Sequence, residues 1–234
     1  MEVAVQDISH LFNAKAVLSD ISYSFRANRV TAILGKSGSG KTTLLQILNG
    51  MIKPDSGTVT VSKLPLNYNA LPVVRTKMGY VIQQAGLFPH MSIKDNITIL
   101  GRVGKQTDEN ISARVNQLMN LVQVPLSYLE KYPHELSGGE QQRVGLCRAM
   151  FLDPPILLMD EPFASLDYET KQGIYQHLLD IQKAGPRTII LVTHDWDEAV
   201  KLSDHFLWLE NGKIRAHGDR TELRIAKALY FEQA

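Results

Sequence analysis

The stretch Gly35-Lys36-Ser37-Gly38-Ser39-Gly40-Lys41-Thr42 decides the fold, because it joins two segments of different character. Residues 30–34, Val-Thr-Ala-Ile-Leu, are a short apolar and β-branched run, which predicts a buried strand. Residues 41–48 have helical periodicity, and Asn49-Gly50 supplies a helix stop. The sequence therefore predicts a strand, a glycine-rich loop and a helix in immediate succession.

This order is the context that a phosphate-binding loop requires. Glycines let the loop curl so that backbone N–H groups surround a phosphate, and the helix N-terminus adds partial positive charge. Lys41 is expected to reach the β- and γ-phosphates of ATP, and the Thr42 hydroxyl to ligate Mg²⁺. The alternative is a flexible Gly/Ser turn, which the flanking strand and helix disfavour. The residues predicted to bind nucleotide here are Gly35, Lys36, Ser37, Gly38, Ser39, Gly40, Lys41, Thr42 and Thr43.

The rest of the chain alternates strands and helices. Further strands are predicted at residues 3–8, 21–25, 57–61, 78–82, 156–159 and 188–192, with a hairpin of 206–209 and 213–216 around Asn211-Gly212. Helices are predicted at residues 92–100, 108–122, 138–152 and 169–183. This pattern predicts an α/β fold: a P-loop NTPase core with a mainly parallel sheet, an N-terminal antiparallel β subdomain and an inserted helical subdomain. We expect one domain over 1–234, with 1–83 and 153–234 forming the core and 84–152 the helical subdomain.

Composition limits the cellular context. The 25 basic and 24 acidic residues give a net charge of +1, so charge alone favours neither nucleic acid nor an anionic membrane as partner. Cys147 is the only cysteine, which excludes an internal disulfide and fits a reducing cytoplasm. The N-terminus lacks the pattern of a signal peptide, and the apolar runs are far shorter than the ~20 residues that span a bilayer. We expect a cytoplasmic protein that works at a membrane only if another protein holds it there.

A second acidic motif follows the apolar run 156–159. Asp160, at the carboxyl end of this predicted strand, is placed to hold Mg²⁺ through water, and Glu161 to polarise an attacking water as general base. Asp-Glu after a strand is a weak signal alone, because charged residues often begin loops. The phosphate loop is what gives the pair its interpretation.

The string Leu136-Ser-Gly-Gly-Glu-Gln-Gln-Arg143 determines the class of P-loop protein. Physically it is a helix start, in which Ser137 caps the helix and Gly138 and Gly139 leave the backbone bare. The same string is the signature motif of ATP-binding cassette (ABC) proteins, which the chain resembles from about residue 3 to residue 218. The resemblance implies an ATPase in which two copies, head to tail, enclose two ATP molecules. Ser137, Gly138, Gly139 and Gln141 of one copy would close on the ATP of the other.

Further positions match the family in order. The resemblance implies that Phe12 stacks on adenine, although a core aromatic in a strand remains the alternative. Gln83 would contact Mg²⁺ and the attacking water; Gln84 leaves a one-residue ambiguity, and the spacing after Gly79-Tyr80 favours Gln83. Asp167 would lie in the loop that crosses the dimer interface, and His194 would hydrogen-bond the γ-phosphate as the switch histidine.

The region between Gln83 and Leu136 has the size of a compact helical subdomain and not of a long coiled coil, and the chain holds one cassette. Both features favour a transporter subunit. Residues 79–93, 132–135 and 193–199 look most like the quaternary-amine importers for glycine betaine, choline and carnitine. The implied function is to energise import of a small solute such as a quaternary amine or an amino acid; a non-transport ABC ATPase acting as a regulatory or assembly module is the alternative. Lys36 departs from the family, which usually has proline there.

The implied partners are a second copy of the chain, an integral membrane permease and a solute-binding protein, with no nucleic acid. The chain would then sit peripherally on the cytoplasmic face of the cell membrane, held by its permease.

Overall fold

The computed structural model describes residues 1–83, 85–103 and 107–232, and the chain divides into two compact units. The phosphate-loop unit consists of residues 1–78 and the chain from residue 186 onward, and the signature unit consists of residues 79–185. The division of the domain predicted above, at 83/84 and 152/153, stays a prediction.

The phosphate-loop unit contains most of the strands. Its elements are β1 (Val3–Phe12), β2 (Lys15–Phe25), β3 (Val30–Leu34), α1 (Lys41–Leu48), β4 (Ser56–Val61), β5 (Leu64–Pro65), α2 (Leu71–Arg75), β8 (Thr188–Val192), α7 (Trp196–Leu202), β9 (His205–Glu210), β10 (Lys213–Asp219) and α8 (Arg220–Glu232). The signature unit contains β6 (Met78–Val81), which begins at its boundary, α3 (Ile93–Val103), α4 (Asp108–Leu121), α5 (Gly138–Met150), β7 (Ile156–Asp160) and α6 (Tyr168–Ala184).

Two sheets contribute to the phosphate-loop unit. One is antiparallel, in the order β2-β1-β4-β5, and the other has the order β10-β9-β3-β8 within this unit. In the second sheet β3 pairs in parallel with both β8 and β9, and only β10 runs antiparallel to its neighbour. The predicted α/β class, with an antiparallel N-terminal sheet and a mainly parallel core, is confirmed.

Strands β3 and β8 lie in the apolar core of their unit. Every residue of Val30–Leu34 and of Thr188–Val192 is buried, as expected for parallel strands covered on both faces. Helix α1 turns Leu44, Leu45 and Ile47 into the same core. The strand that precedes the phosphate loop and the helix that follows it are therefore both fixed by apolar packing.

In the signature unit, α3, α4 and α5 contact one another, and β6 and β7 are neighbouring strands. Arg114 on α4 fixes the end of α5, because its guanidinium donates to the carbonyls of Met150, at 2.6 Å, and Phe151, at 3.1 Å. Cys147 on α5 is fully buried, and its Sγ lies 3.4 Å from the Leu118 carbonyl. Burial raises the pKa of this thiol, and its surroundings support a role in packing.

The sequence analysis predicted no bounds for β5, α2, α7 or α8. Helix α2 has a proline in its first turn and no buried residue, so it lacks the apolar periodicity by which a helix is recognised. Strand β5 has two residues, both exposed. None of the helices within 1–83, 85–103 and 107–232 is long and apolar enough to cross a membrane.

Candidate nucleotide site

The phosphate loop is curled by glycines at positions that no other residue fits. A Cβ on Gly35, whose φ is +151°, would lie 2.3 Å from the Leu209 carbonyl oxygen. A Cβ on Gly40, whose φ is +100°, would lie 2.6 Å from the Leu18 side chain. The backbone also closes on itself, since the Ser39 amide donates to the Lys36 carbonyl at 3.2 Å. The loop is therefore tightly curled, and the predicted anion-binding role of its amides stays a prediction.

Lys41 lies inside this curl. Its Nζ donates to the carbonyls of Gly35, at 2.8 Å, and Lys36, at 2.9 Å, and the residue is only 6% exposed. The Ser39 Oγ is buried and has no hydrogen-bond partner among the described residues, whereas Thr42 is exposed and Thr43 is half-buried. A lysine ammonium and an unsatisfied hydroxyl within a curled backbone fit a phosphate group.

His194 and Phe12 belong to the same unit as the loop. His194 is exposed directly after β8, and the amide of the preceding Thr193 donates to the Ile33 carbonyl of β3 at 3.1 Å. Because β3 and β8 are parallel, His194 and the phosphate loop leave the sheet at the same edge. Phe12 ends β1 and is 66% exposed, so the alternative of a core aromatic is wrong. An exposed aromatic is free to stack on a base, and that role stays a prediction.

In the signature unit, the structure brings Gln83 and Glu161 together. The Gln83 Nε2 donates to the Glu161 Oε2 at 3.4 Å, and Asp160 precedes Glu161 as the buried last residue of β7. Glu161 has φ +44°, a left-handed backbone that non-glycine residues adopt rarely. The left-handed backbone at Glu161 separates the two carboxylates: Asp160 lies in the strand, and Glu161 accepts from the Gln83 side-chain amide. Gln84, the alternative to Gln83, lies outside the described residues.

Helix α5 holds the segment that follows β6, a role that the sequence did not reveal. The Gln142 Nε2 donates to the Ile82 carbonyl at 3.1 Å, and Arg148 donates to the carbonyls of Ala85, at 3.0 Å, and Gly86, at 2.8 Å. Helical periodicity places these side chains on α5 but carries no signal for partners about 60 residues away. Gln83 is thus positioned from both sides by the signature helix.

The signature motif is an exposed helix start with a complete capping box. The Glu140 amide donates to the Ser137 Oγ at 3.3 Å, and the Ser137 amide donates to the Glu140 Oε2 at 2.8 Å. Hydrogen bonds from Ser137, from its backbone first, lower the pKa of Glu140. Ser137 and Gly138 are exposed, and a Cβ on Gly138 would meet no atom of the described residues within 4 Å. The cap is therefore open to another molecule.

The other predicted signature residues face their own unit. A Cβ on Gly139 would lie 3.1 Å from the Leu166 side chain, and the Gln141 Nε2 donates to the Pro133 carbonyl at 2.9 Å and the Leu136 carbonyl at 3.1 Å. Asp167 caps α6, since its Oδ1 accepts from the Thr170 amide at 2.9 Å, and hydrogen bonds from Thr170 lower the pKa of Asp167. Gly139 and Gln141 thereby fix the start of α5 in its own unit.

The predicted Mg²⁺ ligands are divided between the units, with Thr42 in one and Gln83 and Asp160 in the other. A hydroxyl, an amide and a carboxylate offer the hard oxygen donors that Mg²⁺ prefers. Within 1–83, 85–103 and 107–232, no cluster of three or more His, Cys, Asp or Glu side chains forms a separate metal site. The fit of these residues to Mg²⁺ rests on the chemistry of their oxygen atoms, and their joint binding of the ion stays a prediction.

Comparison with known proteins identifies the family to which the sequence is similar. The sequence model of the family described as "ABC transporter" matches residues 18–164. The glycine betaine uptake system ATP-binding protein YehX of Escherichia coli K12 is 40% identical over 214 residues, covering 91% of this chain and 69% of that protein. The glycine betaine/carnitine/choline transport ATP-binding protein OpuCA of Bacillus subtilis 168 is 38% identical over 220 residues, covering 94% of this chain and 58% of that protein.

Among solved structures, a dimeric post-hydrolysis state of the ATP-binding cassette MJ0796 bound to ADP and Pi has a TM-score of 0.86 and 27% identity. The match covers 93% of this chain and 98% of that one. Most of the chain therefore matches a solved ATP-binding cassette. The chain spans 69% and 58% of the lengths of the two curated relatives.

Proposed function

The chain belongs to the ABC transporter family, and we propose that it is the ATP-hydrolysing subunit of a transporter that imports a small solute such as a quaternary amine or an amino acid. The observation that carries the ATPase part is the curled phosphate loop with the Lys41 ammonium inside it. The import part is supported by the relatives, whose names describe them as ATP-binding proteins of glycine betaine, carnitine and choline systems.

ATP binds through its phosphates at the loop. On binding, the Lys41 ammonium exchanges its two carbonyl partners for phosphate oxygens, which carry more negative charge. The Ser39 hydroxyl and the loop amides complete the cradle, and the exposed Phe12 ring stacks on the adenine. The glycines allow the loop to adopt this curl before the nucleotide arrives.

Thr42, Gln83 and Asp160 are the residues that would hold Mg²⁺. When bound, the ion would supply neutralisation of charge on the β- and γ-phosphate oxygens. Asp160 is buried at the end of β7, which keeps its carboxylate in a fixed position, while Gln83 is exposed and adapts.

Glu161 is the general base. Its carboxylate takes a proton from the attacking water while the water oxygen bonds to the γ-phosphorus and the bond to the ADP oxygen breaks. The Gln83 amide, 3.4 Å from the Glu161 Oε2, orients the carboxylate, and His194 donates a hydrogen bond to the γ-phosphate. These side chains therefore need a bound nucleotide to act as one site.

A second copy of the chain supplies the lid. Ser137 and Gly138 are exposed, their helix start is attractive to an anion, and nothing in the described part of the chain covers them. In two chains arranged head to tail, the helix start of each chain would cover the γ-phosphate of the ATP bound to the other chain. Loss of that phosphate would remove the contact and open the dimer.

The remaining partners are a membrane permease, which holds the chain on the cytoplasmic face, and a solute-binding protein that delivers the cargo. The chain itself has no spanning helix among its described residues.

The test uses the tagged chain purified from a detergent extract of its own host. We expect a polytopic membrane protein to co-purify and the complex to release phosphate from ATP. Glu161→Gln should keep the partner and ATP but lose phosphate release, whereas Glu169→Gln, an exposed change in the first turn of α6, should behave as wild type. A soluble or nucleic-acid partner in place of the permease would contradict the transport part and support the regulatory or assembly alternative. Wild-type turnover in Glu161→Gln would contradict the assignment of the base.

A further inference from the structure

Three aromatic side chains of the phosphate-loop unit form a cluster behind the nucleotide site. Trp196, Trp208 and Tyr230, called here the aromatic cluster, come from α7, β9 and α8. Their ring centroids are 5.4 Å apart for the two tryptophans, 5.0 Å for Trp196 and Tyr230, and 5.7 Å for Trp208 and Tyr230. Both tryptophans are nearly buried, at 3% and 5% exposure, and Tyr230 is partly buried against them.

The aromatic cluster packs on the strand that leads into the phosphate loop. Ala32 and Leu34 of β3 belong to the same buried group. The residue after Trp208 is Leu209, whose carbonyl excludes any side chain at Gly35. However, a cavity of about 210 Å³ lies between residues 36–39 and 208–211, so the loop is not packed tightly from behind. A loop with space behind it needs another anchor to keep its curl.

Lys36 supplies the contact that could serve as this anchor. Its Nζ lies 5.9 Å from the centre of the Tyr230 ring, within the range of a cation–π interaction. The Lys36 carbonyl accepts hydrogen bonds from the Lys41 Nζ and the Ser39 amide. The side chain of Lys36 therefore meets α8, while its backbone closes the phosphate loop.

The aromatic cluster also meets the other phosphate-facing segment. Trp196 follows His194 by two residues and begins α7, and the intervening Asp195 caps that helix by accepting from the amides of Asp197 and Glu198. The tilted Trp196–Tyr230 contact thus places α8 behind the His194 segment as well.

We infer that Tyr230 is a positioning residue for nucleotide binding, because its ring contacts both Lys36 and Trp196. The inference rests on the nucleotide binding proposed above. Tyr230 touches no phosphate; it acts by holding the loop in the binding conformation before the nucleotide arrives, which reduces the ordering cost of binding. An exposed cation–π contact is worth a factor of about two to five in an equilibrium constant, so a loss of that size is expected.

The test compares leucine substitutions at two adjacent aromatic positions of α8. Tyr230→Leu should raise the dissociation constant for a non-hydrolysable ATP analogue with Mg²⁺ about two- to fivefold, while Tyr230→Phe should bind as wild type because the ring remains. Phe231→Leu is the matched control: Phe231 is 59% exposed, and its ring meets Lys227 and the edge of the Tyr230 ring but makes no cation–π contact with Lys36 among the described residues. It should leave the affinity unchanged.

A second variant keeps the inference testable if Tyr230→Leu folds poorly. Lys36→Met should raise the dissociation constant for the ATP analogue. Adding Tyr230→Leu to Lys36→Met should raise that constant by a smaller factor than Tyr230→Leu does in the wild type, because Lys36→Met has already removed the contact between Lys36 and the Tyr230 ring. Additive effects of the two changes would overturn the inference.

The fluorescence of the two tryptophans gives a readout that would not respond to nucleotide if Tyr230 had a purely structural role. They are the only tryptophans of the chain, and both lie in the aromatic cluster. Nucleotide should therefore change tryptophan emission in the wild type, and the change should shrink in Lys36→Met but not in Phe231→Leu. Unchanged emission on binding, or a Tyr230→Leu variant that binds as tightly as wild type, would overturn the inference. A wild-type chain that binds no nucleotide would instead overturn the proposed function.

Discussion

Substitution of Gly35 by alanine tests the geometry of the phosphate loop most directly. The added Cβ would lie 2.3 Å from the Leu209 carbonyl oxygen, whereas Cβ atoms essentially never come closer than 3.0 Å to another heavy atom. The loop would have to move by the difference, 3.0 − 2.3, or about 0.7 Å. A misplacement of ~1 Å in a reacting group can reduce a rate about 10²-fold. We therefore expect Gly35→Ala to lower kcat/KM for ATP by roughly that factor.

Gly38→Ala is the matched control within the same loop. Gly38 also has a positive φ, +76°, so alanine costs about 1–2 kcal/mol of backbone strain there as well. However, its Cβ would meet no atom of the described residues within 4 Å. The difference between the two variants therefore reports the collisions of the Gly35 Cβ with the Leu209 carbonyl, at 2.3 Å, and the Ser39 Oγ, at 2.5 Å, beyond the cost of a positive φ.

Phosphate release measured against ATP concentration gives kcat/KM, and circular dichroism gives the free energy of unfolding. The expected result is a clearly larger loss of kcat/KM in Gly35→Ala than in Gly38→Ala, with similar unfolding free energies. Equal losses in the two variants, or full activity in Gly35→Ala, would refute the reasoning.

Three shorter predictions concern the signature unit. Glu161→Gln should reduce phosphate release about 10²–10⁴-fold while ATP affinity is retained, and size exclusion should show an accumulated ATP-bound dimer that Glu169→Gln lacks. Arg148→Met leaves the Ala85 and Gly86 carbonyls without their donors, so kcat should fall several-fold in the same assay at unchanged ATP affinity, which equilibrium dialysis checks. The pKa of Glu140 is lower in the folded chain than in the unfolded chain, where a glutamate has a pKa of about 4.3. The capping carboxylate therefore contributes its full stabilisation above the unfolded pKa, and this stabilisation is lost as the pH falls through the folded pKa. In denaturant titrations, the difference in unfolding free energy between wild type and Glu140→Gln should therefore shrink on acidification; a constant difference would contradict the cap.

Local pattern was enough to predict the phosphate half of the site. Strand β3, the loop and α1 follow one another without interruption, so the loop needs no distant partner to be recognised. The same holds for the Ser137 cap, which is complete within four residues. Features of this kind depend on neighbouring residues, and they can therefore be predicted from a short stretch of sequence.

Contacts between distant positions could not be predicted. Arg148 finds carbonyls more than 60 residues away, and Lys36 meets a ring near the other end of the chain. Neither contact leaves a period or a spacing in the sequence. For Phe12, the sequence was compatible with two roles, stacking on a base and packing in the core. The exposed fraction of its side chain, 66%, excludes the core role.

The burial of Cys147 has a practical consequence for studying this chain. Its single thiol is fully enclosed, and a raised pKa keeps it protonated, so maleimide reagents at neutral pH should find no native target. A cysteine placed at Glu169, an exposed residue in the first turn of α6, would then be the sole labelling position without any prior removal of Cys147. A dye attached there would lie two residues from Asp167, in the loop predicted to cross the dimer interface, without replacing a residue of the lid, and a change of its emission with ATP would follow closure and opening in real time.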